Sequence, residues 1–473
     1  MLSGIETTVG LFPGQGGYRR GALHAIWSSG DPVLRDLFAE VDAAARDILG
    51  KEVSPRLFAR DPLGPEGLFT EDPEILQLAV FGTSLGVFRL LQARDASTSV
   101  LMGHSLGEIT ALVCAGAFSA RAGAELICHR IAVTTRLGSS AGGMLSLACD
   151  EHRAGKLLDL VAEPRLGIAV VNGPGQVVLS GPLAGLRKVE QIADTIGVTA
   201  VRLLAPVAFH SREMEAVRVE VLRRIRDVRQ RPLAVPVFSP ILGRFYRDSD
   251  RLAELLSLHL VTPVRFGDAV RRMHGAGARI FVEMGAGSTL SGLAGAAFPE
   301  ITALAPLSGR DEARGLAETA AFLREPGLTA SAASAPREPR HPVDARPVTV
   351  RPEDTPSGVP AAPEPGPAVP PPASFEAGGP TTAGRSRTEL LAEIRTLYAE
   401  ALEYPEEVFT EDAHLEADLG VDSVKQTELL VRVRGHFGLP AEPDGARAAA
   451  YETVGAVLDW VEARVSGSAA HAR

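Results

Sequence analysis

Apolar residues along this chain come in three rhythms. From the N-terminus to about residue 320, short apolar runs alternate with longer stretches of helical spacing. Thr7 to Leu11 is predicted as a strand running into a turn at Phe12-Pro13-Gly14-Gln15-Gly16, and Ile75 to Leu91 as a long apolar helix. Ser99 to Met102 reads as a buried strand, and Leu106 to Ala115 as the helix after it. Strands alternating with helices in this way predict an α/β fold.

Between about residues 143 and 204 the second rhythm sets in. A strand (Met144–Cys149), a helix (Arg153–Val161), a strand (Gly167–Val171), a turn (Asn172–Gly175) and a strand (Gln176–Ser180) follow one another. A helix (Leu183–Ile196) and a strand (Thr199–Leu203) close the series. The order β-α-β-β-α-β is that of a ferredoxin-like unit, here inserted into the larger α/β domain. The third rhythm is helical only: Thr388–Ala401, Ser423–Phe437 and Val454–Ala463 carry amphipathic spacing, with a shorter helix around Ala446–Tyr451. Three or four helices in about 80 residues predict a small bundle.

What separates the bundle from the body has no rhythm. Of the 34 prolines, 15 lie between Pro326 and Pro380, with Ala, Gly, Ser and Glu filling most of the remainder. Such a segment cannot bury a core and reads as a disordered, partly polyproline-II linker. A flexible coil of that length spans about 40 Å, and proline stiffening lengthens it. The predicted organisation is therefore an α/β domain over 1–322 with its ferredoxin-like subdomain at about 143–204, a Pro/Ala-rich linker over 323–386, and a helical domain over 387–466.

The 473 residues suit two or three domains, and 45% hydrophobic with 22% charged residues is ordinary for a globular protein. Without a charged-then-apolar leader or a stretch of 18 or more apolar residues, neither secretion nor a membrane is expected. Three cysteines without metal spacing predict free thiols and a cytoplasmic location, and no metal site. Charge adds a sharper point. From Arg387 to Val465 there are 17 acidic and 7 basic residues, so this segment alone carries the net −10 of the whole chain. A compact acidic module suits docking to basic patches on protein partners and excludes nucleic acid, whose phosphates need Lys and Arg.

Two serines carry the candidate chemistry. Ser105 lies in Gly103-His104-Ser105-Leu106-Gly107, the G-x-S-x-G pattern of a strained strand-to-helix turn that exposes a hydroxyl. A serine hydroxyl is a weak nucleophile and needs a general base and a site for the developing oxyanion. His210, in Ala205-Pro206-Val207-Ala208-Phe209-His210-Ser211, follows an apolar strand and a proline turn and is the best-placed base among eleven histidines. Ser423 follows Glu416-Ala417-Asp418-Leu419-Gly420-Val421-Asp422 and opens an amphipathic helix; on local grounds alone it is an N-cap.

Taken together the motifs resemble a known family. Phe12-Pro13-Gly14-Gln15-Gly16, Gly103-His104-Ser105-Leu106-Gly107-Glu108, Phe209-His210-Ser211 and Val282-Glu283-Met284-Gly285-Ala286-Gly287 occur in the order found in malonyl-CoA:acyl-carrier-protein transacylases. That family includes the acyltransferase domains of polyketide synthases. The match runs from about residue 8 to 310 and implies an α/β-hydrolase-like acyltransferase domain. It further implies Ser105 as nucleophile, His210 as base, and the backbone N–H groups of Gln15 and Leu106 as the oxyanion hole. A main-chain carbonyl orients the histidine in this family, and the similar segment His259-Leu260-Val261-Thr262-Pro263-Val264-Arg265-Phe266 makes the carbonyl of His259 the candidate.

Arg130 stands where members using dicarboxylic acyl groups place an arginine, whose fork grips the free carboxylate. Phe209 and Leu106 resemble malonyl-type members, since a large Phe crowds an α-methyl branch. One departure is Glu74, aligned where members often carry glutamine; a carboxylate there would repel a bound malonyl group.

From about Thr388 to Val465 the chain resembles an acyl carrier protein. The resemblance implies that Ser423 receives 4′-phosphopantetheine from a separate phosphopantetheinyl transferase, with Asp418 and Asp422 as recognition charges. The whole then implies transfer of an acyl group, malonyl above others, from a coenzyme A thioester through a seryl ester to the pantetheine thiol of a carrier in cis or in trans. The setting is polyketide or fatty-acid biosynthesis, with a ketosynthase or other synthase components as further partners. An editing thioesterase acting on loaded carriers remains an alternative, because both reactions begin with the same acyl-enzyme.

Overall fold

The computed structural model describes residues 7–138, 141–324, 386–402, 405–415, 421, 423–439, 451 and 453–468. Among the described residues ten strands form two sheets. The larger contains β1 (Thr7–Phe12), β2 (Val100–Gly103), β7 (Val237–Ser239), β8 (Arg244–Phe245), β9 (Ala278–Glu283) and β10 (Thr302–Leu304), in the order β10-β9-β1-β2-β7-β8. All neighbours are parallel except the β7–β8 pair. Parallel strands with helices on both faces are buried twice over, which is why Val9, Leu11, Leu101, Met102, Phe281 and Val282 form near-continuous apolar runs.

The long helix Pro73–Gln92 runs through this core, with nearly every residue from Ile75 to Leu91 buried. By length and mean hydropathy it could cross a membrane, although Gln77 and Arg89 interrupt its apolar run. However, 89% of its apolar window is buried within the protein, so here it is a core helix. Its neighbour Pro32–Leu49 shows how local chemistry fixes an element. Asp31 caps it by accepting from the Val33 and Leu34 amides, Pro32 fills the first turn, and Gly50 ends it at φ +68°.

The smaller sheet contains β3 (Gly142–Leu147), β4 (Gly167–Gly173), β5 (Gln176–Pro182) and β6 (Ala200–Arg202), antiparallel in the order β4-β5-β3-β6. Helices Glu151–Val161 and Leu183–Thr195 complete the ferredoxin-like order expected from the sequence. Its own core, centred on Leu145, Leu147, Val177, Leu179 and Leu186, is separate from that of the larger sheet. The insert is not loosely hung. Val171 N–H donates to the Val264 carbonyl at 2.8 Å and Val264 N–H to that of Ala169 at 2.9 Å, so β4 bridges to a loop of the main domain.

At the C-terminal end, helices Arg387–Leu402, Ser423–Phe437 and Val454–Ser468 share a third core built on Ile394, Tyr398, Phe409, Leu429, Val433, Val457, Leu458 and Val461. The expected linker, apart from residues 323, 324 and 386, lies outside the described residues. So do Asp418, Asp422 and all of the expected short helix except Tyr451.

Candidate active site

β1 and β2 are adjacent and parallel, with Phe12 level with Gly103, so the loops after them emerge side by side at one sheet edge. In open α/β sheets such loops at the carboxyl ends of strands build ligand sites. The loop after β2 is the elbow. Ser105 sits at φ +54°, a left-handed conformation that costs a non-glycine residue about 1–2 kcal/mol. The flanking glycines have a steric reason. A Cβ on Gly103 would lie 2.1 Å from the Glu108 amide nitrogen, and one on Gly107 would lie 2.0 Å from the Phe12 carbonyl oxygen.

His210 reaches the elbow from 105 positions downstream. Its Nε2 lies 2.7 Å from Ser105 Oγ, and its Nδ1 lies 2.9 Å from the carbonyl oxygen of Thr262. With Nδ1 protonated and donating to that carbonyl, Nε2 is left as the acceptor facing the serine. His210 is itself held at φ +59°, and its backbone N–H donates to the Leu260 carbonyl at 2.8 Å. Both residues are therefore clamped in strained backbone by surrounding contacts, as is common where geometry must be fixed in advance.

The carbonyl assignment from the sequence is corrected here: the acceptor is Thr262, not His259. His259 caps the helix Leu252–Leu258 with its backbone still in helical conformation, whereas Thr262 lies three residues further, immediately before Pro263. The His259 ring is fully buried and contacts Tyr246 and Glu108 instead.

The loop after β1 packs directly on the elbow. The His104 amide donates to the Phe12 carbonyl at 2.8 Å, and a Cβ on Gly14 would lie 2.9 Å from the His104 carbonyl oxygen. Gln15 opens a short 3₁₀ turn, Gln15–Gly17, and its side-chain amide donates to the Leu204 carbonyl at 3.0 Å. Leu106 begins the helical turn after the serine. Among the described residues neither the Gln15 nor the Leu106 backbone N–H has a protein acceptor. The fourth motif buttresses this loop from behind. Met284 N–H donates to the Leu11 carbonyl at 2.7 Å, a Cβ on Gly285 would strike Pro13, and Arg19 Nε donates to the Ala286 carbonyl.

Electrostatics complete the site. Arg130, on the helix Ala120–Leu137, is only 6% exposed, and no carboxylate pairs with it among the described residues. Its guanidinium carbon lies 5.0 Å from the ring centre of Phe209, and its Nε has no hydrogen-bond partner. Burial pulls its pKa down to about 10, which leaves it charged at neutral pH. Burial first, and then the Arg130 charge, pull the His210 imidazole down to about 3, against the opposing Thr262 carbonyl. The imidazole is therefore neutral over the working range and able to take a proton.

Arg130→Ala should move the acidic limb of the pH–kcat/KM profile for acetyl-CoA to higher pH. Loss of the cation relieves repulsion of the protonated imidazole and raises its pKa. A limb that stays put or moves down would show that the two side chains do not interact electrostatically.

Two neighbours were not legible as site residues. His104 Nε2 lies 2.9 Å from Asn172 Oδ1 on the insert, whose Nδ2 in turn donates to Gln176 at 2.7 Å. Burial lowers the His104 pKa, opposed by the Asn172 bond, so this neighbour of the serine stays neutral. The concern over Glu74 is eased by a cation the sequence did not reveal: Lys51 Nζ lies 2.7 Å from the Glu74 carboxylate. One turn on, Gln77 is the buried polar side chain, with its Oε1 lacking a partner.

Ser423 is the first residue of the helix Ser423–Phe437. Nearby, the Val421 N–H donates to the Leu415 carbonyl at 2.8 Å, and buried Gln426 donates to the Val421 carbonyl at 2.8 Å.

Comparison with known proteins gives the class that this fold and site define. Residues 9–330 match the acyl transferase domain family, and residues 392–461 match the phosphopantetheine attachment site. The chain belongs to the acyl transferase domain family, and its C-terminal match implies covalently attached 4′-phosphopantetheine.

Among curated relatives, the erythronolide synthase EryA3 of Saccharopolyspora erythraea is 32% identical over 281 residues, 58% of this chain and 8% of that protein. The spectinabilin polyketide synthase system protein NorA′ of Streptomyces orinoci is 32% identical over 284 residues, covering 58% of this chain and 7% of the relative. The polyketide biosynthesis protein ThaF of Burkholderia thailandensis is 30% identical over 350 residues, 73% of this chain and 28% of the relative. The chain thus spans under a third of the length of each. Among solved structures, the acyltransferase domain from the second module of the salinomycin polyketide synthase superposes with a TM-score of 0.59 at 28% identity, covering 68% of this chain and 74% of that one. The malonyl CoA-acyl carrier protein transacylase of Coxiella burnetii has the same fold, with a TM-score of 0.60 at 22% identity over 67% of this chain and 98% of that one.

Proposed function

We propose that this acyltransferase moves a malonyl group from coenzyme A, through an ester on Ser105, to the thiol of an acyl carrier protein in polyketide biosynthesis. Residues 1–322 then form the transferase unit and 387–466 the carrier. The observation that carries the reading is the 2.7 Å contact between Ser105 Oγ and His210 Nε2, with a buried Arg130 that no carboxylate pairs with among the described residues.

Each half-reaction uses the same groups. His210 Nε2 takes the proton as Ser105 Oγ bonds to the thioester carbon, and the Gln15 and Leu106 amides receive the oxyanion. Collapse breaks the C–S bond, and His210 returns the proton to the departing coenzyme A sulfur. Arg130 holds the free carboxylate of the ester in a bidentate pair, which fixes the acyl chain in one pose. Phe209 lies beside it and leaves little room for an α-methyl branch, a discrimination of about 1–3 kcal/mol. Phosphopantetheine, when attached, supplies the accepting thiol. In the second half His210 again removes a proton, and Ser105 Oγ regains one as its ester bond breaks. Thioester and ester are close in acyl-transfer potential, so no ATP is needed.

Ser423 is the proposed attachment point, loaded by a phosphopantetheinyl transferase, and its carrier is filled in cis or in trans. Other synthase components, a ketosynthase among them, would consume the loaded carrier. After incubation with such a transferase and coenzyme A, Ser423→Ala should show no added arm by intact mass; an arm still present would place the acceptor elsewhere. The proposal as a whole is tested with malonyl-, methylmalonyl- and acetyl-CoA in competition, weighing acyl groups on Ser105 and Ser423. Release of free malonate faster than carrier loading would instead favour the editing thioesterase.

A further inference from the structure

Behind the elbow lies a polar cluster that the reaction above does not use. Glu108, in the first turn of the helix Gly107–Cys114, is fully buried. Its Oε2 accepts from the Tyr246 hydroxyl at 2.7 Å and lies 3.3 Å from His259 Nε2, while its Oε1 accepts from the Ile241 amide at 3.3 Å. Tyr246 Oη and His259 Nε2 are 3.0 Å apart, and His259 too is fully buried. The one phenolic proton goes to Glu108, so the bonds close with His259 Nε2 protonated and shared between the phenol oxygen and the carboxylate. His259 Nδ1 is then the bare nitrogen, and it has no partner. Burial, with Glu108 second, pushes the Tyr246 hydroxyl well above its ordinary range, keeping it a donor.

The elements joined by this cluster matter more than its composition. Glu108 stands three residues after Ser105 and its amide donates to the Ser105 carbonyl at 3.0 Å. His259 opens the segment whose Leu260 carbonyl holds the His210 amide and whose Thr262 carbonyl holds His210 Nδ1. Tyr246 directly follows β8 and ties to β7 through its N–H bond to the Val237 carbonyl. The cluster is thus a side-chain link between the helix carrying the nucleophile and the segment orienting the base. A bare carboxylate or imidazole in this interior would be costly, so removing one member leaves the others unsatisfied and able to shift their elements.

We propose that Glu108, Tyr246 and His259 act as positioning residues that set the distance between Ser105 Oγ and His210 Nε2. The inference rests on the acyl-transfer reading and extends it. None of the three touches substrate, so their effect falls on the chemical step and not on acyl-CoA binding.

The test uses the full chain with Tyr246→Phe and His259→Gln, and Arg130→Ala as a contrast. Single-turnover acylation of Ser105 by malonyl-CoA is followed by mass, normalised to folded protein from circular dichroism. In both cluster variants the maximal acylation rate should fall by about tenfold or more, with the substrate concentration at half-maximal rate within about twofold of wild type. The apparent pKa of the acidic limb should also move, because the imidazole has lost its fixed carbonyl contact. In Arg130→Ala the half-saturating concentration should rise instead. Wild-type rates per folded molecule in both variants would overturn the positioning role, as would losses confined to the amount of folded protein. Wild-type protein that forms no acyl-serine would sink the acyl-transfer reading itself, a separate outcome from either.

Discussion

Ser105→Ala protein incubated with radiolabelled malonyl-CoA is expected to carry no label on the transferase part of the chain, while Ser423 can still receive its arm. Transfer should fall by a factor on the order of 10⁴–10⁶, because no other group can form the ester and the oxyanion donors alone supply only residual acceleration. The expectation depends on three features of the site acting together. The strained elbow presents Oγ, Nε2 accepts from it at 2.7 Å, and Thr262 holds the opposite face of the ring at 2.9 Å. Label persisting on the transferase part after tryptic digestion would mean that another side chain is acylated.

The second large effect is on substrate choice. Arg130→Ala should lower kcat/KM for malonyl-CoA by about 30- to 1,000-fold, corresponding to about 2–4 kcal/mol for a charge-assisted pair away from water. Acetyl-CoA has no carboxylate to lose, so its kcat/KM should change by less than about threefold. Arg130→Lys should fall between, since a lysine keeps the charge but lacks the planar fork. Among the described residues no carboxylate satisfies the buried guanidinium, which is why a ligand carboxylate is worth so much there. Equal losses with both thioesters would remove Arg130 from the acyl site.

Much of this arrangement could be read from residues alone, for identifiable reasons. The ferredoxin-like insert was legible because short apolar runs alternate with helical stretches and turn residues such as Asn172 to Gly175 punctuate it, and its strands fall within two residues of expectation. The elbow was legible because crowding forces glycine at 103 and 107. The identity of the orienting carbonyl was not, since every residue offers one and only the path of the chain selects among them. A signal was available in Pro263: the residue before a proline is steered away from helix, which favours Thr262 over the helical His259. Edge strands β8 and β10, of two and three residues, are too short to show any period. The Lys51–Glu74 pair and the Glu108–Tyr246–His259 cluster join residues far apart in the chain, and nothing in local spacing announces such pairings.

The bridge between β4 and Val264 has a bearing on protein engineering. Val264 lies two positions beyond the carbonyl that steadies the imidazole, and Asn172, at the end of the same strand, grips the histidine next to the nucleophile. Exchanging the insert alone for that of a homologue would import a foreign register at both places. Recombination junctions meant to graft a new acyl preference should therefore keep Gly167–Gly173 and residues 259–266 from one parent, so that the swapped block carries its own alignment with it.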